Sequence, residues 1–181
     1  INFGVKFPLF KKDAVKGDAK QIAFKYLTEK GPAKTNGEIK WNFTKFLINK
    51  KGEVSIIAGF DSDSGFADGD AAAALFYAPI GVAIGTDGKI FVADTYNDRI
   101  RVIENGKIST VAGSSPGYAD GNEVDAKFHT PCGIAIWQDK LLVADAGNRR
   151  IRVVEPDGRV WTLAGTGELA LKDGLLLSSS F

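Results

Sequence analysis

The sequence predicts a mainly β fold with an α/β N-terminal part, and three observations support this. Residues 54–181 repeat with a period of about 52 residues, whereas residues 1–53 do not share the repeat. The chain contains 21 glycines among 181 residues, which suits many tight turns between short strands. The two parts also differ in charge. We therefore expect two domains, residues 1–53 and residues 54–181.

Three stretches of residues 54–181 recur in the same order. Pro79 and Pro131 are 52 residues apart, as are Gly113 and Gly165. Each unit contains four apolar runs, and a period of this size with four strands per unit is typical of a β-propeller blade. The recurring pairs are APIGVAI (78–84) with TPCGIAI (130–136), KIFVADTYNDRIRVIENG (89–106) with KLLVADAGNRRIRVVEPDG (140–158), and ISTVAGSSPGYADG (108–121) with VWTLAGTGELALKDG (160–174). Blades are predicted at about 78–113 and 130–165.

Turn-rich segments divide each unit into four short antiparallel strands. Asn105–Gly106 is a strong signal for a two-residue hairpin turn. Alternation along the third strand predicts Ile100 and Val102 on one face and the flanking arginines on the other, within reach of Asp94 or Asp98. In the first unit the predicted strands are Gly81–Ile84, Lys89–Ala93, Arg99–Glu104 and Lys107–Ala112.

Residues 1–53 follow the order strand, helix, strand, strand. The first strand ends at Pro8, and the helix has Asp18 as its N-cap and stops at Gly31–Pro32. The run EIKWNFTKFLIN (38–49) reads as a second strand that turns into EVSIIAG (53–59). About 50 residues are too few for a stable core, so we expect this part to pack on something else.

The stretches FGVKFPLFKKDAVKGDA (3–19) and IKWNFTKFLINKKGEV (39–54) resemble the C-terminal half of the glutathione peroxidase family, which has a thioredoxin-like fold. The resemblance implies an incomplete β-α-β-β fragment of that fold. It also places Trp41 and Asn42 at positions that work with the peroxidatic cysteine and a Gln, since an indole N–H and an amide stabilise a thiolate.

The family's cysteine and Gln have no counterpart in residues 1–53, and Cys132 lies within a blade. We therefore interpret Trp41 and Asn42 as remnants and expect no peroxidase activity from this chain alone, because the nucleophile is missing. The alternative is a thiol peroxidase whose cysteine-bearing half is supplied upstream or by another chain. A fusion of two fragments is a further interpretation.

The repeats resemble the NHL-repeat family of β-propellers through ADTYNDRIRVI (93–103) and ADAGNRRIRVV (144–154). The resemblance implies a six-bladed ring, of which this chain holds two whole blades. The segment ELALKDGLLLSSSF (168–181) departs from the loop pattern where a third blade would begin. By contrast, Lys45–Gly59 has the length and pattern of Ile151–Gly165, the outer hairpin of a blade. These features predict a non-catalytic interaction or scaffold module that binds protein partners, self-associates to complete a ring, or joins a larger assembly.

The counts of cysteine and histidine limit the disulfides, metal sites and catalytic groups that the sequence can form. Cys132 and His129 are the only residues of their types, so no internal disulfide and no zinc motif with paired cysteines is present in the sequence, and a Ser–His–Asp site would have to be built on His129. The run DSDSG (61–65) imitates a calcium loop, but its twelfth position is Ala72 rather than Glu. We expect neither a cofactor nor a metal.

The distribution of charged and apolar residues indicates whether nucleic acid or a membrane is an expected partner. Residues 1–53 hold 12 lysines against five acidic residues, a balance of +7, whereas the remainder has 11 basic and 17 acidic residues, a balance of −6. The negative repeat region argues against nucleic acid despite the arginines at 99, 101, 149, 150 and 152. No apolar run approaches the ~20 residues of a membrane span, and no secretory signal opens the chain. We expect a soluble protein and, because the chain starts at Ile1 and lacks Met, a processed piece.

Overall fold

The computed structural model describes residues 45–48, 54–59 and 64–181. The α/β order predicted for residues 1–44, the thioredoxin-like fragment, and the positions of Trp41, Asn42 and Asp61 lie outside the described residues. The chain divides into two compact units. Described residues of the first unit are 46–48 and 54–56, and those of the second are Lys45 and residues 57–59 and 64–181.

The first two strands, β1 (Lys45–Ile48) and β2 (Val54–Ala58), pair in a two-stranded sheet. This agrees with the strand, turn, strand pattern predicted for residues 45–59. The end of β2 belongs to the second unit, where Ala58 is fully buried and Ile57 is partly buried.

The first blade is a five-stranded antiparallel sheet with the order β3-β7-β6-β5-β4. Its four long strands confirm the predicted ones to within a residue. Asn105 and Gly106 both have positive φ (50° and 73°), as the predicted tight turn between β6 and β7 requires. The strands are β3 (Gly69–Asp70), β4 (Gly81–Ile84), β5 (Ile90–Asp94), β6 (Arg99–Glu104) and β7 (Lys107–Ala112).

The second blade repeats this topology with the order β8-β12-β11-β10-β9. In both blades a two-residue strand from the preceding loop, β3 or β8, pairs with the outermost long strand, which the sequence did not predict. The strands are β8 (Gly121–Asn122), β9 (Pro131–Trp137), β10 (Lys140–Asp145), β11 (Arg150–Val154) and β12 (Arg159–Ala164). Short 3₁₀ helices lie at Thr95–Asn97, Glu123–Asp125, Ala146–Asn148 and Leu176–Ser178.

A single apolar cluster joins the two blades, because alternation sends one face of each sheet toward its neighbour. Ile100 lies in this cluster as predicted, and Phe128 from the loop between the blades lies there too. The predicted mainly β, partly propeller-like architecture is confirmed for the described residues. The buried members are Ala93, Ile100, Ala112, Ala126, Phe128, Leu141, Val143, Val154 and Val160.

The loops that precede and follow the blades have the same backbone pairing. In each loop an isolated antiparallel bridge joins residues eight positions apart. Phe76, Phe128 and Phe181 each follow the second residue of a bridge, so residues 165–181 adopt the loop structure although their sequence departs from it. The apolar side chains of this segment, among them Leu169 and Leu171, are exposed, so the departure in sequence does not disturb the backbone pairing. The bridges are Ala67–Leu75, Ala119–Lys127 and Lys172–Ser180.

The innermost strands of the two blades approach closely at Gly81. A Cβ at this position would overlap the backbone oxygen of Cys132 and lie 3.2 Å from the backbone nitrogen of Ile134. We expect Gly81→Ala to lower the free energy of unfolding by about 1–3 kcal/mol, because rigid backbone must move to admit the methyl group. Urea unfolding followed by tryptophan fluorescence measures this loss.

Gly133 provides the matched control, since it occupies the corresponding position on β9. An added Cβ there meets a side-chain atom, the Cβ of Ala144, at 3.2 Å. We expect Gly133→Ala to cost less than half as much as Gly81→Ala. Equal losses for the two variants would contradict the close approach of the inner strands.

Candidate functional site

The most buried carboxylate of the first blade is that of Asp94, which ends β5 and is fully buried. It accepts hydrogen bonds from the backbone N–H of Tyr77 (2.8 Å), the side-chain amide of Asn97 (2.8 Å) and Nη1 of Arg101 (2.7 Å). Burial raises the pKa of Asp94 above its ordinary value, and these three donors oppose that rise. Its acceptor positions are therefore occupied by the protein itself.

Arg101 on β6 connects this carboxylate to the loop that precedes the blade. Its side chain is fully buried, and its Nη2 lies 2.6 Å from a carboxylate oxygen of Asp68. It also donates to the backbone oxygens of Ala67 (2.7 Å) and Leu75 (3.1 Å). The guanidinium lies 4.9 Å from the ring centre of Phe66. One arginine thus holds the loop onto the sheet through charge, hydrogen bonds and stacking.

The second blade contains the same arrangement. Asp145 is fully buried and accepts from the backbone N–H of His129 (2.8 Å), Asn148 (2.8 Å) and Nη1 of Arg152 (2.8 Å). Burial raises the pKa of Asp145 as well, against the opposing Asn148 and His129 donors. Arg152 pairs with Asp120 at 2.7 Å, but its Nε has no hydrogen-bond partner, unlike that of Arg101.

The ion pair of Arg101 with Asp94 confirms the prediction that an arginine of this strand reaches that carboxylate, and Arg152 with Asp145 repeats it in the second blade. Of the two carboxylates named in the prediction, Asp94 is therefore the one that an arginine bonds, whereas Asp98 accepts from the backbone N–H of Thr130 (2.8 Å) and so joins the two blades. Asp98 adopts a left-handed conformation (φ 53°), which turns its side chain toward the next blade and away from β6. Arg99 donates to the Asn97 oxygen and stacks on Phe66.

The loop partners of the arginines were missed in the sequence, although a signal was present. The phrases GFADG and GYADG place an aromatic residue two positions before Asp68 and Asp120, and each aromatic stacks on the arginines of its blade. The periodic Asp and the periodic Arg therefore belong to one repeated unit. Pairing them required knowledge of which strand the loop lies against.

His129 lies just before β9, and Cys132 lies within it. Among the described residues, no cluster of three or more His, Cys, Asp or Glu side chains is arranged to hold a metal ion. The half-buried Cys132 thiol lies 3.8 Å from the backbone oxygen of Ala144. Nor does any helix within the described ranges have the length and apolar character needed to cross a bilayer.

An exposed aromatic pair marks the end of the first blade at which β5 terminates. The rings of Tyr77 and Tyr96 meet edge to face with their centres 5.3 Å apart, and the residues are 42% and 56% exposed. The corresponding residues of the second blade are His129 and Gly147. The pair was not singled out in the sequence because it lies at positions where the two repeats differ.

A cleft lies at the opposite end of the strands, between the two blades, with a volume of about 240 Å³. Its charged residues pair with each other: Lys89 lies 3.2 Å from Asp87 and 3.7 Å from Glu104, and Lys140 lies 3.0 Å from Glu155. These contacts satisfy most of the charge at the rim. The lining residues are Asp87, Lys89, Phe91, Val102, Glu104, Val111, Asp139, Leu141, Val154, Glu155 and Pro156.

Comparisons with known proteins agree with this geometry. The NHL repeat family matches residues 76–103, which include the Asp94–Arg101 pair. The human NHL repeat-containing protein 2 is 36% identical over 96 residues, 51% of this chain and 13% of that protein. A glutathione peroxidase homolog, BsaA of Staphylococcus epidermidis, is 50% identical over 54 residues, 30% of this chain and 34% of that protein.

A solved structure, an auxiliary nutrient binding protein from Bacteroides thetaiotaomicron, is similar with a TM-score of 0.54 and 22% sequence identity, over 67% of this chain and 33% of that one. This likeness concerns the fold. The chain spans about a third of the length of BsaA and about an eighth of the human protein. Both resemblances are thus confirmed: the chain contains NHL repeats folded as part of a β-propeller, together with a partial glutathione peroxidase homology over about 30% of its length.

Proposed function

We propose that this chain is a protein-interaction module that presents Tyr77 and Tyr96 to a polypeptide partner. The observation that supports the proposal is a contrast between buried charged side chains, which recur in both blades, and an exposed tyrosine pair, which occurs in only one. Charged residues shared by both blades are buried and bonded to their own blade, which leaves them a structural role. The exposed aromatic pair is specific to one blade, as a recognition surface would be.

The tyrosine pair has the properties of a preorganised contact. The backbone N–H of Tyr96 donates to the backbone oxygen of Tyr77 (3.0 Å), and the N–H of Tyr77 donates to buried Asp94. Both backbones are therefore held in place before a partner arrives, which reduces the entropy lost on binding. Tyrosine combines a large contact area with a hydroxyl and is enriched among residues that dominate binding energy.

A photo-crosslinking amino acid in place of Tyr96 tests this function in cells that make the native protein. We expect a discrete cross-linked protein from position 96. Tyr77→His, which installs the residue of the second blade and so preserves the fold, should reduce the yield at least tenfold. The matched control places the cross-linker at Tyr118, which is similarly exposed (47%) but stacked on Arg150. Identical adducts from both positions, or none from position 96, would contradict the proposal.

A second candidate function rests on the 50% identity with BsaA over 54 residues. In this alternative, the chain contributes Trp41 and Asn42 to a thiol peroxidase whose cysteine-bearing half is supplied upstream or by another chain. Peroxide-dependent thiol oxidation by native protein isolated from its own cells tests this. At least a tenfold lower rate with Asn42→Ala would support the alternative, and an unchanged rate would eliminate it.

A further inference from the structure

The loop before each blade is bonded to the sheet by an aspartate, but the two blades differ in how this carboxylate is used. In the first blade, Oδ1 of Asp68 accepts a hydrogen bond from Nε of Arg101 (2.9 Å) and pairs with its Nη2 (2.6 Å). The other oxygen, Oδ2, accepts from the backbone N–H (3.1 Å) and the hydroxyl (2.8 Å) of Thr110. One carboxylate oxygen therefore bonds the arginine, and the other bonds the threonine.

In the second blade the same carboxylate oxygen receives both donors. Oδ1 of Asp120 accepts from Nη2 of Arg152 (2.7 Å) and from the hydroxyl of Thr162 (3.1 Å). Nε of Arg152 is left without a hydrogen-bond partner, although the side chain is fully buried. A buried donor without a partner costs stability, so its presence calls for a physical cause.

The aromatic residue beside this contact differs between the blades, whereas the aspartate, the arginine and the threonine are common to both. It is Phe66 in the first blade and Tyr118 in the second. The two rings stack alike, since the guanidinium carbon of the bonded arginine lies 4.9 Å from the ring centre in each case. The phenol oxygen of Tyr118 lies 3.0 Å from Oγ1 of Thr162. The second blade thus adds one hydroxyl, and that hydroxyl contacts the threonine.

The direction of these hydrogen bonds follows from the protons available. An ionised carboxylate only accepts, so Thr162 uses its single hydroxyl proton toward Asp120. The oxygen of Thr162 must then accept from the phenol of Tyr118. The result is a chain of hydrogen bonds that runs from a half-exposed tyrosine to a fully buried arginine.

We propose that Tyr118, Thr162 and Asp120 form a two-state latch on the loop before the second blade. In the open state, which the structure shows, the phenol bonds the threonine and Nε of Arg152 has no partner. In the closed state the phenol turns to water, and Asp120 binds Nε and Nη2 together, as Asp68 does in the first blade. The side chain of Asp120 is 47% exposed and that of Asp68 is 36% exposed, as expected for a carboxylate that withdraws from water when it closes.

Closing the latch exchanges a weak hydrogen bond for a stronger one. The bond from the phenol to the threonine joins two neutral groups at the surface. The bond gained is charge-assisted and lies on a buried guanidinium, where such bonds are about twice as strong. The loop held by this latch also carries Phe128, which is buried in the cluster that joins the blades. Loss of the phenol hydrogen bond therefore tightens a loop that packs between the two sheets.

Tyr118→Phe tests the latch by giving the second blade the aromatic residue of the first. Removal of a tyrosine hydrogen bond ordinarily destabilises a protein. Here we expect the urea midpoint of the full chain to rise, because Nε of Arg152 gains a partner. Hydrogen exchange of this N–H, followed by ¹⁵N NMR, should slow at least tenfold. The reciprocal variant Phe66→Tyr should lower the midpoint and speed the exchange of the Arg101 Nε–H at least tenfold.

A control pair of variants tests whether the carboxylate is required. In a chain that carries Asp120→Ala, adding Tyr118→Phe should no longer slow the exchange of the Arg152 Nε–H, because the closed state needs the carboxylate. The proposal is overturned if Tyr118→Phe lowers the midpoint or leaves the exchange of this N–H unchanged. It is also overturned if Tyr118→Phe slows the exchange equally in the presence and absence of Asp120.

Discussion

Replacing Asp94 by Asn is expected to lower the free energy of unfolding by about 3–5 kcal/mol, because the change removes the buried one of the two carboxylates that pair with a fully buried arginine. Three donors converge on the two oxygens of Asp94. An amide in its place turns a donor toward at least one of them, which leaves a buried polar group unsatisfied. Urea unfolding of the purified chain, followed by tryptophan fluorescence, measures the loss.

Two variants calibrate this result. Asp145→Asn removes the equivalent carboxylate of the second blade and should cost a similar amount, since Arg152 is equally buried. Asp87→Asn removes an exposed partner of Lys89 and should leave the unfolding midpoint almost unchanged, because exposed ion pairs contribute little. If Asp94→Asn behaved like Asp87→Asn, the buried pair would not hold the loop to the blade.

Truncating Phe128 to Ala is expected to cost about 3–5 kcal/mol, because the ring is fully buried in the cluster that joins the blades. The cavity would open where two sheets meet, and its residual volume adds to the loss of apolar burial. Thermal unfolding monitored by circular dichroism, together with the urea midpoint, reports the change.

Phe181 is the control for this substitution because it occupies the same position in the loop after the second blade. It is 49% exposed, and it lies over Gly165 as Phe128 lies over Gly113. Phe181→Ala should therefore cost less than half as much as Phe128→Ala. Equal losses would show that the intrinsic loop contact, and not the packing between blades, accounts for the effect.

The predictions for Asp94 and Phe128 concern the same structural unit. The first tests its buried charges, and the second tests its apolar packing. In each blade, an arginine and an aspartate hold the preceding loop against the sheet, and a phenylalanine at the end of that loop fills the space beside it. The repeat therefore uses its charged residues for assembly of the blade. The positions that differ between the blades, among them Tyr77 and Tyr96, are those for which we propose a role in recognition.

Much of the fold could be predicted from the sequence, because strands are indicated by neighbouring residues and blades by periodic spacing. Alternation and turn residues located the strands of the first blade to within a residue, and the 52-residue spacing predicted that a second blade would repeat them. Comparison of residues 45–59 with 151–165 predicted the hairpin strands β1 and β2. Each of these depends on neighbours along the chain, which the sequence displays directly.

Other features depended on contacts between residues far apart in the chain. The loop aspartates Asp68 and Asp120 are 33 and 32 residues from the arginines that they bond, so only the folded sheet pairs them. The choice of Thr130 as the partner of Asp98 followed from the left-handed backbone at Asp98 and the position of the next blade.

The sequence by itself determined the repeat, the strands and the apolar face of each strand, because these follow from periodicity and local conformational preference. Only the tertiary structure decided which apolar residues are covered. Val82 and Ile134 occupy equivalent positions, yet one is exposed and the other packs between blades. Burial depends on the neighbouring sheet, which no local pattern records.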